Sequence, residues 1–302
     1  MQESMYKYLK MGFVHFMAYP ATMKQDNKLI LESISASCKD PYFTAIEVMK
    51  VVDQNTRQQV IDMLDQSGLK VCYAAQPVVL GGGLNINSAD EKKRQEAVAA
   101  LSKELEFCQE MGSDALAFLS GKIEDGVPYE TAEKACIKSL QELCDTAASM
   151  DLRIVLETFD TEIDKKAFVG SSVKSAALAR KIERDNFGLM LDLSHLPLLG
   201  ESSREALTAV KDCLVHAHVG NAFMADPKSL AYGDQHPRFG YPGSPNGVPQ
   251  LAEYLRCLFE IGYLGEGKQP VVSFEVKPLP GESSDIVLAN AKRAMNEAWA
   301  MI

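Results

Sequence analysis

Four side chains close short apolar runs in the second half of the chain. Glu157 follows Ile154-Val155-Leu156, Asp192 follows Leu189-Met190-Leu191, His218 ends Val215-His216-Ala217, and Glu275 follows Val272-Ser273-Phe274. A single carboxylate in such a place is ordinarily solvated or paired with a Lys. Four metal-capable residues in succession, each behind a hydrophobic run, point to a shared site. Burying three carboxylates together costs several kcal/mol per uncompensated charge. A divalent cation relieves that repulsion, taking the formal charge of the three carboxylates from −3 to −1 with His218 neutral. Such an oxygen-rich ligand set suits one Mn, Mg or Co ion, with Zn admissible, and leaves coordination positions open. It is unlike a structural zinc site, which is closed and thiolate-rich.

Other polar residues stand where they would surround that centre. His216 shares parity with His218 one layer deeper, which suits a supporting or core role. His195 lies just past Asp192, either on a substrate oxygen or in a loop hydrogen bond. Glu47 lies near the end of the second apolar run and Gln76 ends the third, and each either faces the mouth or pairs with a neighbouring Lys. Lys277 shares parity with Glu275 and either bridges to it or touches substrate. His236 and Arg238 lie in a long irregular segment, where a guanidinium would clamp a hydroxyl or an anion. His15 shares parity with Met17 on the first run, and either lines a barrel or packs in the core. Gly81-Gly82-Gly83 lacks the Lys-Ser/Thr of a phosphate-binding loop and reads as a turn near the mouth.

The elements that would position these residues recur along the chain. Apolar, β-branched or aromatic runs occupy 12–18, 43–49, 69–76, 114–120, 152–159, 187–193, 213–219 and 270–276. Helical periodicity fills 54–67, 89–111, 129–150 and 283–301, the first two stopping at Gly68 and Gly112. Buried strands alternating with helices indicate βαβ units and a parallel sheet. Eight such units close into a single (β/α)8 barrel spanning residues 1–302. The rival, an open doubly wound sheet, lacks its G-x-G-x-x-G after the first strand. Residues 221–247 are rich in Gly and Pro and follow the seventh run, on the side where barrel enzymes keep their active sites; a lid or substrate loop is expected.

Composition limits the function. With 31 Lys+Arg against 41 Asp+Glu in 302 residues, the net charge of −10 counts against a nucleic-acid ligand. No apolar run approaches the roughly 20 residues that span a bilayer, and the N-terminal residues lack the layout of a secretory signal. The seven cysteines are odd in number, widely spaced and without a C-x-x-C, so neither disulfides nor a thiolate metal site is indicated. A cytoplasmic protein is expected, whose partners are a small molecule and, at most, further copies of itself.

Glu157, the D-x-x-H of Asp192 to His195, the H-x-H of His216 to His218, and Glu275 in Phe274-Glu275-Val276-Lys277-Pro278 together resemble the xylose-isomerase-like TIM barrels. That superfamily includes ketose 3-epimerases, hydroxypyruvate isomerases, inosose dehydratases and sugar-phosphate epimerases. The resemblance covers nearly the whole chain. It implies one divalent metal on Glu157, Asp192, His218 and Glu275, the two glutamates as acid/base pair, and His195 on a substrate oxygen. The implied reaction is isomerisation or 3-epimerisation of a sugar, sugar phosphate or polyol through a metal-stabilised enediolate. The alternatives are a metal-dependent lyase acting on a keto-polyol such as an inosose, and a barrel that binds carbohydrate without catalysis. Two departures narrow the resemblance. The Pro, Asn-Arg and second Glu usual after the fifth-strand Glu are replaced by Thr158-Phe159-Asp160, with Lys165 and Lys166 nearby, which favours a substrate bearing an acid, phosphate or aryl group over a free ketohexose. No carboxylates follow His218 in Val219-Gly220-Asn221, which disfavours a second metal.

Overall fold

The computed structural model describes every residue except Gln2. Eight strands alternate with helices: β1 (Lys10–Phe13), β2 (Ala45–Val48), β3 (Lys70–Ala74), β4 (Ala115–Leu119), β5 (Arg153–Glu157), β6 (Phe187–Asp192), β7 (Leu214–Gly220) and β8 (Val271–Glu275). Every pairing in the sheet is parallel, in the order β1-β8-β7-β6-β5-β4-β3-β2. The remaining seam, between β1 and β2, is drawn together by the Val14–Glu47 bridge and by Thr44 N donating to Met11 O at 2.8 Å. The result is a nearly closed (β/α)8 barrel, as the eight apolar runs require.

The expected helices form as Gln54–Ser67, Glu91–Glu110, Tyr129–Ala148 and Ser284–Ala300. Asp53 and Asp90 cap the first two, accepting from Thr56 N at 2.8 Å and Lys92 N at 2.9 Å. The helices pack apolar stripes such as Val60/Leu64 and Leu101/Leu105/Cys108 against the strands. Further helices, among them Asn27–Cys38, Ser172–Ile182, Ser203–Val210 and Val248–Glu260, complete the outer ring. All seven cysteines are unpaired. Among the described residues, no helix is long and apolar enough to cross a membrane.

The first apolar run behaves differently from its parity. Strand β1 stops at Phe13, and His15 opens a one-turn helix, His15–Ala18, ended before Pro20. His15 therefore does not line the barrel. It is buried, and its Nε2 donates to Ser33 Oγ at 2.9 Å, because that hydroxyl gives its own proton to Leu29 O at 2.7 Å. Burial pushes the His15 imidazolium down to about 3. The unfolded chain therefore takes up a proton near pH 6.5 that the folded chain refuses until about pH 3. Stability should fall as pH drops through that window, by at most about 1.4 kcal/mol per unit from this group. Denaturant unfolding of His15→Gln across pH 4–7 is expected to show a shallower acid slope than the parent; equal slopes would contradict the assignment.

Residues 221–247 contain no helix or strand, yet they are packed rather than loose. Asn221 Oδ1 accepts from Ala222 N and from Asn246 N, and Asn246 Nδ2 donates to Leu193 O and Gly220 O, so the two ends are latched together over the barrel mouth. Asn221, Ala231, Asp234, His236 and Phe239 are buried.

Candidate metal centre

Glu157, Asp192 and Glu275 are the last residues of β5, β6 and β8, and His218 lies two residues before the end of β7. The four offer ligand atoms that all lie within 4.8 Å of one another, and all are buried. What brings His218 level with Asp192 is a bulge: Leu189 pairs with Leu214, but Met190 pairs with His216, leaving Val215 extra. Without it Asp192 would sit beside Ala217, whose side chain points to the other face. Gly188 makes room for the bulge, since a Cβ there would meet Val215 Cγ2 at 2.3 Å.

The donor set fits a cation. Asp192 Oδ1 accepts from Ser194 N at 2.7 Å, while Oδ2 is buried without a partner. Glu157 Oε2 accepts from Gln76 Nε2 at 2.7 Å, and its Oε1 is likewise orphaned. Two buried, unpartnered carboxylate oxygens beside His218 are costly unless a positive ligand faces them. His218 Nδ1 lies 2.7 Å from Glu275 Oε2 and 3.6 Å from Glu157 Oε1. Burial alone would lower its pKa, but Glu47, Glu157 and Glu275 override this and raise it well above the ordinary value.

Glu47 lies beneath this centre. Its Oε1 accepts from His218 Nε2 at 3.0 Å and from His216 Nε2 at 2.7 Å. Burial would raise its pKa, but the two imidazoles hold it well below the carboxylate range. This is the carboxylate–histidine arrangement that fixes the tautomer of a ligating ring, and it gives His216 the supporting place its parity suggested. Gln76 opens the helix Gln76–Gly82 rather than extending β3; it lines the mouth with Oε1 unpartnered. Gly81 and Gly82 belong to that helix and Gly83 caps it. Lys277 also lines the mouth, its Nζ donating to Gln235 Oε1 at 3.2 Å. Arg238 does not reach the mouth cavity; it is held at the rim by Glu282 at 3.1 Å.

A second charged cluster abuts the first. His195 Nδ1 donates to Thr158 O at 2.7 Å and Nε2 donates to Asp234 Oδ1 at 2.9 Å, so both nitrogens carry protons and the ring is a cation. His195 is therefore engaged by the protein on both sides. Asp234 Oδ1 also lies 2.8 Å from His236 Nε2, and its Oδ2 lies 3.1 Å from Lys165 Nζ. Burial would lower the imidazolium pKa values, but Asp234 raises them, to about 10 for His195 and about 9 for His236. Lys165 is aimed by Asp160, which accepts from the backbone N–H of Ile163, Asp164 and Lys165 at 2.6–2.7 Å. Gly220 lets the loop approach, since a Cβ there would lie 2.5 Å from Glu275 O and 3.2 Å from His236 Nδ1.

The sequence offers no role for Asp234 and places His236 only in the long irregular segment. Their only signal is the sequence Asp234-Gln235-His236 within the Gly/Pro-rich stretch, which says nothing of depth. Truncating Asp234 to Ala removes the carboxylate that the buried His195 and His236 rings share, while the half-buried Lys165 keeps Asp164 at 3.0 Å, and loss of one partner from a buried ion cluster costs about 3–5 kcal/mol. Asp234→Ala should lose that much stability in urea unfolding, with Asp234→Asn less affected; a change below 1 kcal/mol would show that the cluster is not what holds the loop.

A cavity of about 880 Å³ opens at the opposite end of the barrel among strand-start residues such as Lys10, Lys70 and Arg153. The carboxylate–imidazole cluster lies instead at the carboxyl ends of the strands, the end where barrel enzymes place their chemistry, below a mouth cavity of about 300 Å³.

An eight-stranded barrel with three carboxylates and an imidazole buried together at its carboxyl mouth defines the class. Residues 37–292 match the Xylose isomerase-like TIM barrel family, and the chain belongs to it. It is 24% identical over 194 residues to the inosose isomerase of Bacillus subtilis (strain 168), an alignment covering 62% of this chain and 64% of that protein, less than two thirds of its length. Among solved structures it is similar to an L-ribulose 3-epimerase (TM-score 0.71, 15% identity, 97% of this chain and 96% of the other). It is also similar to the 3-keto-D-glucoside 4-epimerase of E. coli (TM-score 0.69, 16% identity, 95% and 99% covered). At these identities the structural likeness bears on the fold.

Proposed function

We propose that the protein is a divalent-metal-dependent isomerase or epimerase of a sugar or polyol, moving a proton on a carbon beside a carbonyl. The observation that carries this reading is the convergence of Glu157, Asp192, His218 and Glu275 with two orphaned carboxylate oxygens. These four residues would hold the cation, which when bound supplies Lewis-acid polarisation of a carbonyl and its neighbouring hydroxyl.

The chain's own residues do the rest. Glu157 and Glu275 stand on β5 and β8, separated by β6 and β7, so they approach the centre from different sides. Each has two oxygens, one for the cation and one to exchange a proton. A proton removed by one glutamate and returned by the other on the opposite face inverts the carbon; transfer between adjacent carbons on one face isomerises. Gln76 orients Glu157 through its 2.7 Å hydrogen bond and offers its free Oε1 to a substrate hydroxyl. Lys277 offers an ammonium at the rim, and Glu47 holds the His218 ring. The names of the similar proteins, an inosose isomerase and two sugar epimerases, support this reaction class.

The second reading is elimination of water from a keto-polyol. The Lys277 ammonium on the wall of the mouth cavity favours it, as a proton source for a leaving hydroxyl. Product mass separates the two, being unchanged for isomerisation and lower by one water for elimination. The test of the shared site is metal content and solvent-deuterium incorporation on a panel of ketoses, keto-polyols and keto-glycosides. No metal uptake and no incorporation would overturn both.

A further inference from the structure

The cavity over the metal centre has two unlike walls. One is polar: Lys165, Asp234, Gln235, His236 and Lys277. The other is apolar: Phe16, Met17 and Met23 come from the segment after β1, Pro77 and Leu80 from the helix after β3, and Phe159 from the turn after β5. Met23 and Leu80 stand at its rim, 39% and 49% exposed. Glu47, His218 and Glu275 line the same cavity, so the apolar wall is continuous with the site of reaction.

A free sugar is badly matched to that wall. Its hydroxyls need donors and acceptors, and a hydroxyl buried against Met, Leu and Pro is left unsatisfied. One aromatic ring can stack on a sugar's C–H face, but Met17, Met23, Pro77 and Leu80 add a broader surface with no side-chain hydrogen-bonding groups beyond weak thioethers. Methionines suit a planar or irregular hydrophobic group, because the flexible thioether adapts its packing and contacts aromatic rings favourably. Phe159 is held in that wall by its packing on His195, with ring centroids 4.4 Å apart.

We infer that the substrate carries an aromatic or comparably apolar substituent on its sugar or polyol, seated on Phe16, Met17, Met23, Pro77, Leu80 and Phe159, with the polyol end over Glu157 and Glu275. The inference rests on the proposed use of this mouth as the substrate site and specifies the class of substrate it takes. The substituent supplies affinity through burial, and the polyol end supplies register.

The test uses the full chain loaded with Mn and read by calorimetry, with phenyl and methyl glycosides of D-glucose, D-galactose and D-xylose as probes. At least one phenyl glycoside should bind about tenfold tighter than its methyl partner. The double variant Met23→Ser/Leu80→Ser, altered only at the exposed rim, should lose most of that ratio while methyl-glycoside binding stays as it was. If no phenyl glycoside outbinds its methyl partner, the inference falls. It also falls if the variant keeps the ratio, or if the variant's main change is a smaller species in sedimentation, which would make the rim a contact between copies. Because binding is read without turnover, an aryl preference with no proton exchange counts against the reaction alone, and exchange without the preference counts against the pocket alone.

Discussion

Glu157→Gln and Glu275→Gln are each expected to lower turnover by about 10²–10⁴-fold, the usual contribution of a positioned acid or base. The change is isosteric, so the mouth keeps its shape, and Gln76 and His218 keep a partner at each position. The pattern across the two variants is sharper than either loss. If the glutamates serve opposite faces, removing one leaves the other able to take the proton that points towards it. Each variant should therefore still wash deuterium into one epimer of the substrate and not into the other, with the two variants showing opposite preferences. The double variant should be scarcely worse than either single one, since the groups act as a unit. Metal content measured on the same samples separates loss of the base from loss of the cation. Full turnover in either metal-loaded single variant would remove that glutamate from the chemistry, and exchange retained into both epimers in both variants would point to another base.

Much of this site was legible because a parallel barrel converts sequence position into depth. Glu157, Asp192 and Glu275 each end an apolar run, and ending a run in a barrel strand means standing at its carboxyl mouth. The alternation that puts His216 below His218 likewise follows from strand geometry. Parity failed where a strand stopped early. His15 was read along a run of apolar residues, but Pro20 and the short helix before it end the strand at Phe13 and turn the ring outwards onto Ser33. Parity also cannot see the Val215 bulge, which exists only as a relation between β6 and β7 and which decides whether Asp192 and His218 meet.

The loop residues were opaque for a different reason. Asp234, His236 and Lys165 come from irregular segments about 70 residues apart and meet only because Asp160 folds one and Asn221 with Asn246 latches the other. No periodicity carries such a contact. Arg238 shows the converse: a cation in the right segment was expected at the substrate, but Glu282 holds it on the rim.

Cation binding should release a proton and strengthen as pH rises. In the metal-free protein the three carboxylates around His218 are balanced by its own proton, which is why its pKa is raised well above 6.5. A cation can take the Nδ1 position, the one facing Glu157 and Glu275, only when that proton leaves, while Nε2–H stays on Glu47. Below the raised pKa, apparent affinity for Mn should rise about tenfold per pH unit from this one group. Calorimetry in buffers of different ionisation enthalpy should count about one proton released per ion at pH 7. Saturating metal at about 1,000 times its Kd would stabilise the fold by about 4 kcal/mol, so chelation should lower the melting temperature and Mn or Co should restore it, more strongly at pH 8 than at pH 6. Glu47→Gln removes the charge that helps hold the imidazolium and the acceptor that orients the ring. It should cost about 10–100-fold in metal affinity and flatten the pH dependence, whereas a surface carboxylate variant such as Glu32→Gln should do neither. An affinity independent of pH, with no proton released, would mean that His218 is not a ligand and that any cation is held by the carboxylates alone.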